Sequence, residues 1–430
     1  MKRANFLLIT LVALLSACQP GAAQKFQPKT IQFKGAPEYS DQELLDAAGL
    51  KKGTVLNFAE MKGHSQKMMD TGIFETLSFK FDGVDLIYTL IPSTTLYPLH
   101  IENLPLTPGK ELDAALHDRF PLYHGKVPGD GGLMEQVRQA LEEMLAAHGI
   151  KATVMAAAFA DPKVHKVTAI TYSIASPPVR VGKIHLDGVS SALQAKVESV
   201  ASHETGSSFD TENAARNLEH AFELFYGDEG YAAVKVHALR SGDPVATDTA
   251  IDIPFSVTVE EGRFFKLGSI HLPPNALVTP ADIDKIVGPD AHVAAKGQTL
   301  RTTWFLITSR YKAAGYLDCV VTPHPEFDEA TGTVNYTVAV DPGPVYHLAF
   351  VKFDGVSDEL RSRLIRLWQM LPGDAFDESY VANFIMRAEK EDPVLMRSLA
   401  GVKVTYDVLA DQQTREVNCV IHFARAQQTP

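Results

Sequence analysis

Cysteine is scarce. The chain holds three in 430 residues, Cys18, Cys319 and Cys419, and no two stand as Cys-x-x-Cys. The metal and redox motifs built on that pair are thereby set aside. Long apolar runs are also missing. After Cys18 no stretch of about 18 apolar residues occurs, so no transmembrane helix is expected. Nor is there a long series of alternating segments of about ten residues, as a membrane-spanning β-barrel needs. Positive charge is in deficit, with 40 Lys and Arg against 52 Asp and Glu and a net charge of -12. Such a chain repels phosphate backbones, and no local Lys/Arg cluster offsets this, which excludes nucleic acid as a partner.

Catalytic signatures are lacking too. The 15 histidines are dispersed, with no His-Glu-x-x-His and no His-x-His. The Gly-rich run Pro128-Gly129-Asp130-Gly131-Gly132 has no Lys-Ser/Thr ending and reads as a flexible loop between helices, not a phosphate cradle. Asp248, Asp252, Glu260 and Glu261 are acidic but lack the spacing of a calcium loop, and read as a solvated face. No enzyme activity, cofactor, metal or small-molecule substrate is expected. What remains is ample core material, with 45% hydrophobic and 21% charged residues.

The N-terminus reads as a targeting segment. Lys2 and Arg3 precede an apolar run from Phe6 to Leu15, too short to span a bilayer as a mature helix. It ends in Leu15-Ser16-Ala17-Cys18, which resembles the bacterial lipobox. In that pattern residues 1–18 form the signal and lipobox, and Cys18 becomes the lipid-bearing first mature residue. Gln19, by the same pattern, implies sorting to the outer membrane. Cleavage after Gly21-Ala22-Ala23, with Cys18 discarded and a soluble periplasmic or secreted product, is the alternative. Cys319 and Cys419 lie in apolar strands and read as small buried hydrophobes.

The main signal is repetition. An alternating strand closing on a turn residue occurs as Ile31-Gln32-Phe33-Lys34-Gly35. It returns as Leu99-His100-Ile101-Glu102-Asn103, Ile184-His185-Leu186-Asp187-Gly188, Ile270-His271-Leu272-Pro273-Pro274 and Val351-Lys352-Phe353-Asp354-Gly355, at a period of about 80 residues. A second landmark is a helix end marked by glycine, at Gly72, Gly149, Gly230, Gly315 and Gly401, followed by an apolar or aromatic residue. Glycine there suits a left-handed C-cap, and the next aromatic can pack back on the helix. Two helices lie between the landmarks. The first is announced by Ser40 with Glu43, by Thr279-Pro280 and by Ser357. The second carries stripes such as Ala215, Leu218, Phe222 and Phe225. Two strands follow, expected at Ala233–Ala238 with Ala250–Val259, and at Leu317–Thr322 with Thr333–Val340. Short junctions such as Glu260-Glu261-Gly262 and Asp341-Pro342-Gly343-Pro344 close each unit.

This β-α-α-β-β order, with its Gly-Tyr turn and Asp-Gly strand end, resembles the POTRA (polypeptide-transport-associated) domain. The expected fold is α+β, a tandem array of about five such modules, each a three-stranded mixed sheet packed against two helices. The boundaries read as 25–93, 95–178, 179–262, 263–344 and 345–426. The resemblance implies polypeptide binding by strand addition to a sheet edge, in outer-membrane protein assembly or transport. It implies unfolded outer-membrane proteins, a separate outer-membrane barrel protein, or both, as partners, and a periplasm-facing, lipid-anchored location. By analogy the first strand after the helices is the edge, at Val234-Lys235-Val236 and Val320-Val321-Thr322. The sequence departs from the family in closing at Gln427-Gln428-Thr429-Pro430 with no barrel after the fifth module. A structural or adhesive surface lipoprotein using the modules as rigid spacers is the competing expectation.

Overall fold

The computed structural model describes residues 25–107, 109–161, 166–288, 294–399 and 401–425. Cys18 and the targeting segment lie outside the described residues. Two compact units divide the chain. The first comprises Met1–Ile184, His203–Ala215 and Arg240–Phe255; the second comprises His185–Ser202, Arg216–Leu239 and Ser256–Pro430. The segments of the third module are thus shared between them.

The first module opens with β1 (Lys25–Phe26) and β2 (Thr30–Lys34). Helix α1 (Asp41–Ala48) follows, then β3 (Leu56–Asn57), α2 (Phe58–Asp70), β4 (Phe74–Phe81) and β5 (Asp85–Pro92). Both helices start in capping boxes, Ser40 with Glu43 and Asn57 with Glu60, which satisfy first-turn N–H groups that no intrahelical carbonyl can reach. The sheet order is β2-β5-β4, with β2 parallel and β4 antiparallel to the central β5. The short β1 pairs β3.

The second module runs β6 (Leu96–Ile101), α3 (Lys110–Arg119), β7 (Lys126–Pro128), α4 (Gly132–Ala147), β8 (Thr153–Asp161) and β9 (Lys166–Ser176). Its sheet has four strands, β7-β6-β9-β8. The third contains β10 (Val179–Asp187), α5 (Gln194–Glu204), α6 (Ala214–Asp228), β11 (Lys235–Arg240), β12 (Val245–Ala246) and β13 (Ile251–Glu260). Its order is β10-β13-β11, with β12 also on β13.

The fourth contains β14 (Lys266–His271), α7 (Pro280–Val287), α8 (Gly297–Ala313), β15 (Val320–Asp328) and β16 (Thr333–Asp341), ordered β14-β16-β15. The fifth contains β17 (His347–Asp354), α9 (Asp358–Leu367), α10 (Glu378–Glu391), α11 (Pro393–Ser398), β18 (Val402–Asp411) and β19 (Glu416–Arg425), ordered β17-β19-β18. No helix among the described residues is long and apolar enough to cross a membrane.

The last strand of each module is central and carries the core on one face. Buried residues alternate along it: Leu86, Tyr88 and Leu90; Ile170, Tyr172 and Ile174; Ile253, Phe255 and Val257; Val334, Tyr336 and Val338; Val417, Cys419, Ile421 and Phe423. A period of two is what a strand with one helix-covered face requires. Each such large side chain stabilises its module by about 1.5–3 kcal/mol through burial.

The glycine that ends the first strand has a specific cause. Gly35, Gly188 and Gly355 lie at φ between 76 and 94°. A Cβ there would stand 2.1–2.2 Å from the carbonyl oxygen of Leu90, Val259 or Phe423 on the central strand. Only a residue without a side chain allows that approach. The second module solves it differently. Asn103 accepts from the Ile174 N–H at 2.7 Å and donates to the Ile174 carbonyl at 3.3 Å, so an amide side chain does what strand backbone does elsewhere.

The helix-end glycines all have positive φ, from 76 to 96° for Gly72, Gly149, Gly230 and Gly315 and 75° for Gly401. After α6 the Tyr231 N–H donates to Tyr226 O, and after α8 the Tyr316 N–H donates to Tyr311 O. In each pair the rings meet edge to face, at 5.9 and 5.8 Å. This is the Schellman turn with its accompanying apolar contact. Gly401 differs, because it follows the added helix α11 rather than α10.

Four local expectations need correcting. The strand after the turn starts later than expected, at Lys235 and at Val320. A further turn intervenes, closed by Val234 N–H to Tyr231 O and by Cys319 N–H to Tyr316 O. Pro128–Gly132 is no loose loop. Pro128 ends β7 and Gly132 begins α4, and the run lies against the end of α2, where Leu133 N–H donates to Thr71 O at 3.1 Å. A Cβ on Gly131 would fall 2.8 Å from Gly72 Cα, and one on Gly132 would fall 2.6 Å from Asp70 O. Its glycines serve backbone contact. The acidic stretch is a solvated face only in part: Asp248 and Glu260 are exposed, the latter beside Lys235, whereas Asp252 pairs with Arg180 and Glu261 accepts from the Tyr226 hydroxyl. Finally, the second and third modules carry a fourth strand beyond the three expected.

Candidate functional site

In each module's main sheet the last strand lies between the first strand and the first strand after the helices, and these two form the edges except where β7 pairs beyond β6. The first-strand edge is covered in the second, third and fifth modules by the segment between the helices. In the second module this segment is β7, paired with β6. In the third, Gly206 N–H donates to Val181 O and Phe209 N–H to Val179 O. In the fifth, Gly373 N–H donates to Leu348 O and Phe376 N–H to Tyr346 O. The other edge, formed by β4, β8, β11, β15 and β18, pairs on one side only. A strand in that position presents backbone N–H and C=O groups to anything that can pair with them.

These free edges differ in how far they are blocked. On β11, which holds Lys235 and Val236, Ala238 N–H donates to Glu219 Oε1 of α6 at 3.0 Å, and Lys235 pairs with Glu260 at 3.4 Å. Val234 sits just before this strand, in the turn. On β15, Val320, Val321 and Thr322 precede Pro323 and Pro325. A proline inside a continuous ladder turns its missing N–H away from the partner strand, so these two remove successive donors from the free edge. Strands β4 and β18 carry the charges Glu75, Lys80, Lys403 and Asp407.

Strand β8 stands apart. From Thr153 to Ala160 it has neither charge nor proline. Met155 and Phe159 are each 52% exposed, and Ala157, Ala158 and Ala160 are exposed as well. Its start is closed. Val154 N–H donates to Glu142 Oε1 at 2.9 Å, and Arg138 Nη1 donates to Val154 O at 3.2 Å, both from α4. The hydrogen bonds that Arg138 donates to Glu135, with the charge of Glu142, raise the pKa of Arg138 and keep this clamp ionised. Because Val154 points its backbone away from β9, strand alternation turns Ala156 and Ala158 outward as well. Reasoning from sequence placed the edge on this strand of every module but named only β11 and β15. The uncharged run Thr153-Val154-Met155-Ala156-Ala157-Ala158-Phe159 was the signal for β8.

Cys319 and Cys419 are free and buried. Burial pushes the Cys419 thiol up to about 11, with Asp407 adding to the effect. One group of three potential metal ligands lies together among the described residues, Glu43 of α1 with His117 of α3 and His124 of the loop after it. Burial works against ionisation of Glu43, but hydrogen bonds from Ser40 and His124 hold its carboxyl down at about 2. Sequence spacing gave no hint of this group, since 81 residues separate Glu43 from His124.

No family model matches the chain. The outer membrane protein assembly factor BamA of Nitratidesulfovibrio vulgaris is 22% identical over 231 residues, which is 52% of this chain and 28% of that protein. Among solved structures, Haemophilus influenzae BamA POTRA3-5 matches at 16% identity and a TM-score of 0.41, covering 57% of this chain and 96% of that one. The N-terminal domain of Omp85 from Thermosynechococcus elongatus matches at 19% identity and a TM-score of 0.22, covering 59% and 100%. The architecture rests on the strand order within the sheets, not on those scores. By that strand order and by the sequence match, the chain resembles the POTRA array of the outer-membrane assembly factor family.

Proposed function

We propose that this chain is a non-catalytic, polypeptide-binding array that serves outer-membrane protein assembly or transport from the periplasm. Its modules are those bounded at 25–93, 95–178, 179–262, 263–344 and 345–426, and lipid on Cys18 holds it to the outer membrane. Client segments add as strands to the free edges, and a separate barrel protein completes insertion. The observation that carries this reading is the uncovered apolar edge of β8. The edges at Lys235–Val236, with Val234 in the turn that leads into them, and at Val320–Thr322 serve as shorter sites.

The energetics favour a transient hold. Ala156 and Ala158 offer two donors and two acceptors, and each main-chain bond nets about 0.5–1.5 kcal/mol. The sum, about 2–6 kcal/mol, corresponds to dissociation constants from tens of millimolar to tens of micromolar from backbone alone, deepened where Met155 and Phe159 meet apolar side chains. Main-chain pairing is indifferent to sequence, as a carrier of many clients requires.

The test is a photo-cross-linker placed at Ala158, challenged with urea-diluted outer-membrane protein. Cross-links are expected there, and Ala158→Pro, which deletes an outward donor, is expected to weaken client binding several-fold. Equal binding by the Pro variant would dismiss β8 as the edge. Lipidation is checked separately: Cys18→Ala is expected to abolish incorporation of labelled palmitate.

A further inference from the structure

We propose that Glu43, His117 and His124 form a binding site for a divalent transition-metal ion of the zinc class, joining helix α1 of the first module to the second module.

The geometry starts from the ring of His117. Its Nδ1 lies 2.9 Å from the backbone carbonyl of Tyr123. A carbonyl only accepts, so Nδ1 carries the proton, which in the neutral form of the ring leaves the lone pair on Nε2. That lone pair faces Glu43 Oε1 at 3.5 Å. His124 Nε2 stands 2.9 Å from the same oxygen. The three ligand atoms all lie within 4.8 Å of one another. Two acceptors, a carboxylate oxygen and an imidazole nitrogen, thus aim at one point, and a positive charge between them relieves the repulsion.

A tetrahedral zinc centre with bonds of about 2.0–2.1 Å sets its ligand atoms roughly 3.3 Å apart. The separations of 2.9 and 3.5 Å bracket that value. Two histidines and a carboxylate, with water in the fourth position, are a donor set that zinc accepts. The outer contacts are also those of a metal site. The Tyr123 carbonyl fixes the His117 tautomer, and Ser40 N–H donates to the second Glu43 oxygen at 2.6 Å, leaving Oε1 for the metal. The His124 ring is steadied by Tyr39, with centroids 4.9 Å apart. Metal capture displaces the proton that bridges His124 and Glu43 in the metal-free chain. The ion would then hold helix α1 of the first module to helix α3 and the loop after it in the second.

The test uses the full mature chain, stripped with a chelator and titrated with Zn²⁺ and Co²⁺. One ion per chain is expected, with the strong visible absorption of tetrahedral Co²⁺ and a raised unfolding midpoint in Zn²⁺. His117→Ala and His124→Ala are each expected to weaken binding by about 100-fold or more, since loss of an outer-shell partner alone costs about 10–100-fold. His148→Ala, outside the group, is expected to bind as the parent does. Far-UV circular dichroism confirms that the variants are folded. Absence of the tetrahedral Co²⁺ spectrum in the parent, or equal affinity in the folded His117→Ala and His124→Ala chains, overturns the proposal and leaves the group as a surface ion pair.

Discussion

The close approach at the end of the first strand in the first, third and fifth modules yields a sharp prediction in the fifth. Gly355 lies at φ 79°, and a Cβ there would stand 2.2 Å from Phe423 O. Gly373 in the same module lies at φ 92° with nothing within 4 Å of a built Cβ. Replacing either by alanine forces an L residue into the left-handed region, at about 1–2 kcal/mol. Only Gly355→Ala also pushes a methyl group into backbone that cannot move without parting β17 from β19. An overpacking strain of about 1–3 kcal/mol adds to the first cost. The expected losses are about 1–2 kcal/mol for Gly373→Ala and about 2–5 kcal/mol for Gly355→Ala. A chain of several modules does not unfold in one step, so a single midpoint would blur the result. Amide hydrogen exchange resolved to peptides of β17 and β19 reads the opening free energy of this module alone. If the two variants lose the same protection there, the close approach is not what keeps residue 355 a glycine.

Further predictions concern the core, the cysteines and a helix cap. Phe384 is 1% exposed and meets Phe353 and Trp368, so Phe384→Ala is expected to cost about 3–5 kcal/mol in the fifth module by hydrogen exchange, against almost nothing for the exposed Phe305→Ala. In a Cys18→Ser chain, native Cys319 and Cys419 are expected to resist a thiol reagent at pH 8 and to react fully in urea; prompt reaction without denaturant would contradict their burial. The Thr279 hydroxyl and N–H hold the Asp282 carboxyl below its usual 3.8. The stabilisation they give α7 is therefore complete above that value and fades as pH falls below it. Exchange of first-turn amides measured across acid pH, with Asp282→Asn as a pH-insensitive reference, checks this.

What the sequence disclosed and what it hid divide by distance along the chain. Ser40 with Glu43 and Thr279 with Pro280 and Asp282 are complete within four residues, so the helix starts were legible. The alternating core strands were legible for the same reason. The delayed starts of β11 and β15 were not, because the turn after the Schellman glycine uses Tyr231–Val234 and Tyr316–Cys319, whose side chains look like strand. Helix α11 was missed although Pro393 stands at its first position, where proline suits a helix start. Asn103 read only as a turn residue, and its pairing with Ile174 lies 71 residues away. The free edges were placed by analogy. Their physical basis, the covering of the opposite edge by the segment between the helices, needed coordinates.

The turn glycines carry one more consequence. Gly230 O accepts Phe265 N–H at 2.9 Å, and Gly315 O accepts Tyr346 N–H at 2.8 Å. In both cases the turn of one module holds the residue that leads into the first strand of the next. Nearest-neighbour coupling of this kind makes an array behave as a one-dimensional chain of linked equilibria. Here the coupling has a direction: a completed turn supplies the anchor on which the following sheet begins. A chain that emerges N-terminus first can therefore set its modules in order, each finished unit seeding its successor, and damage to one turn loosens the start of the module downstream of it.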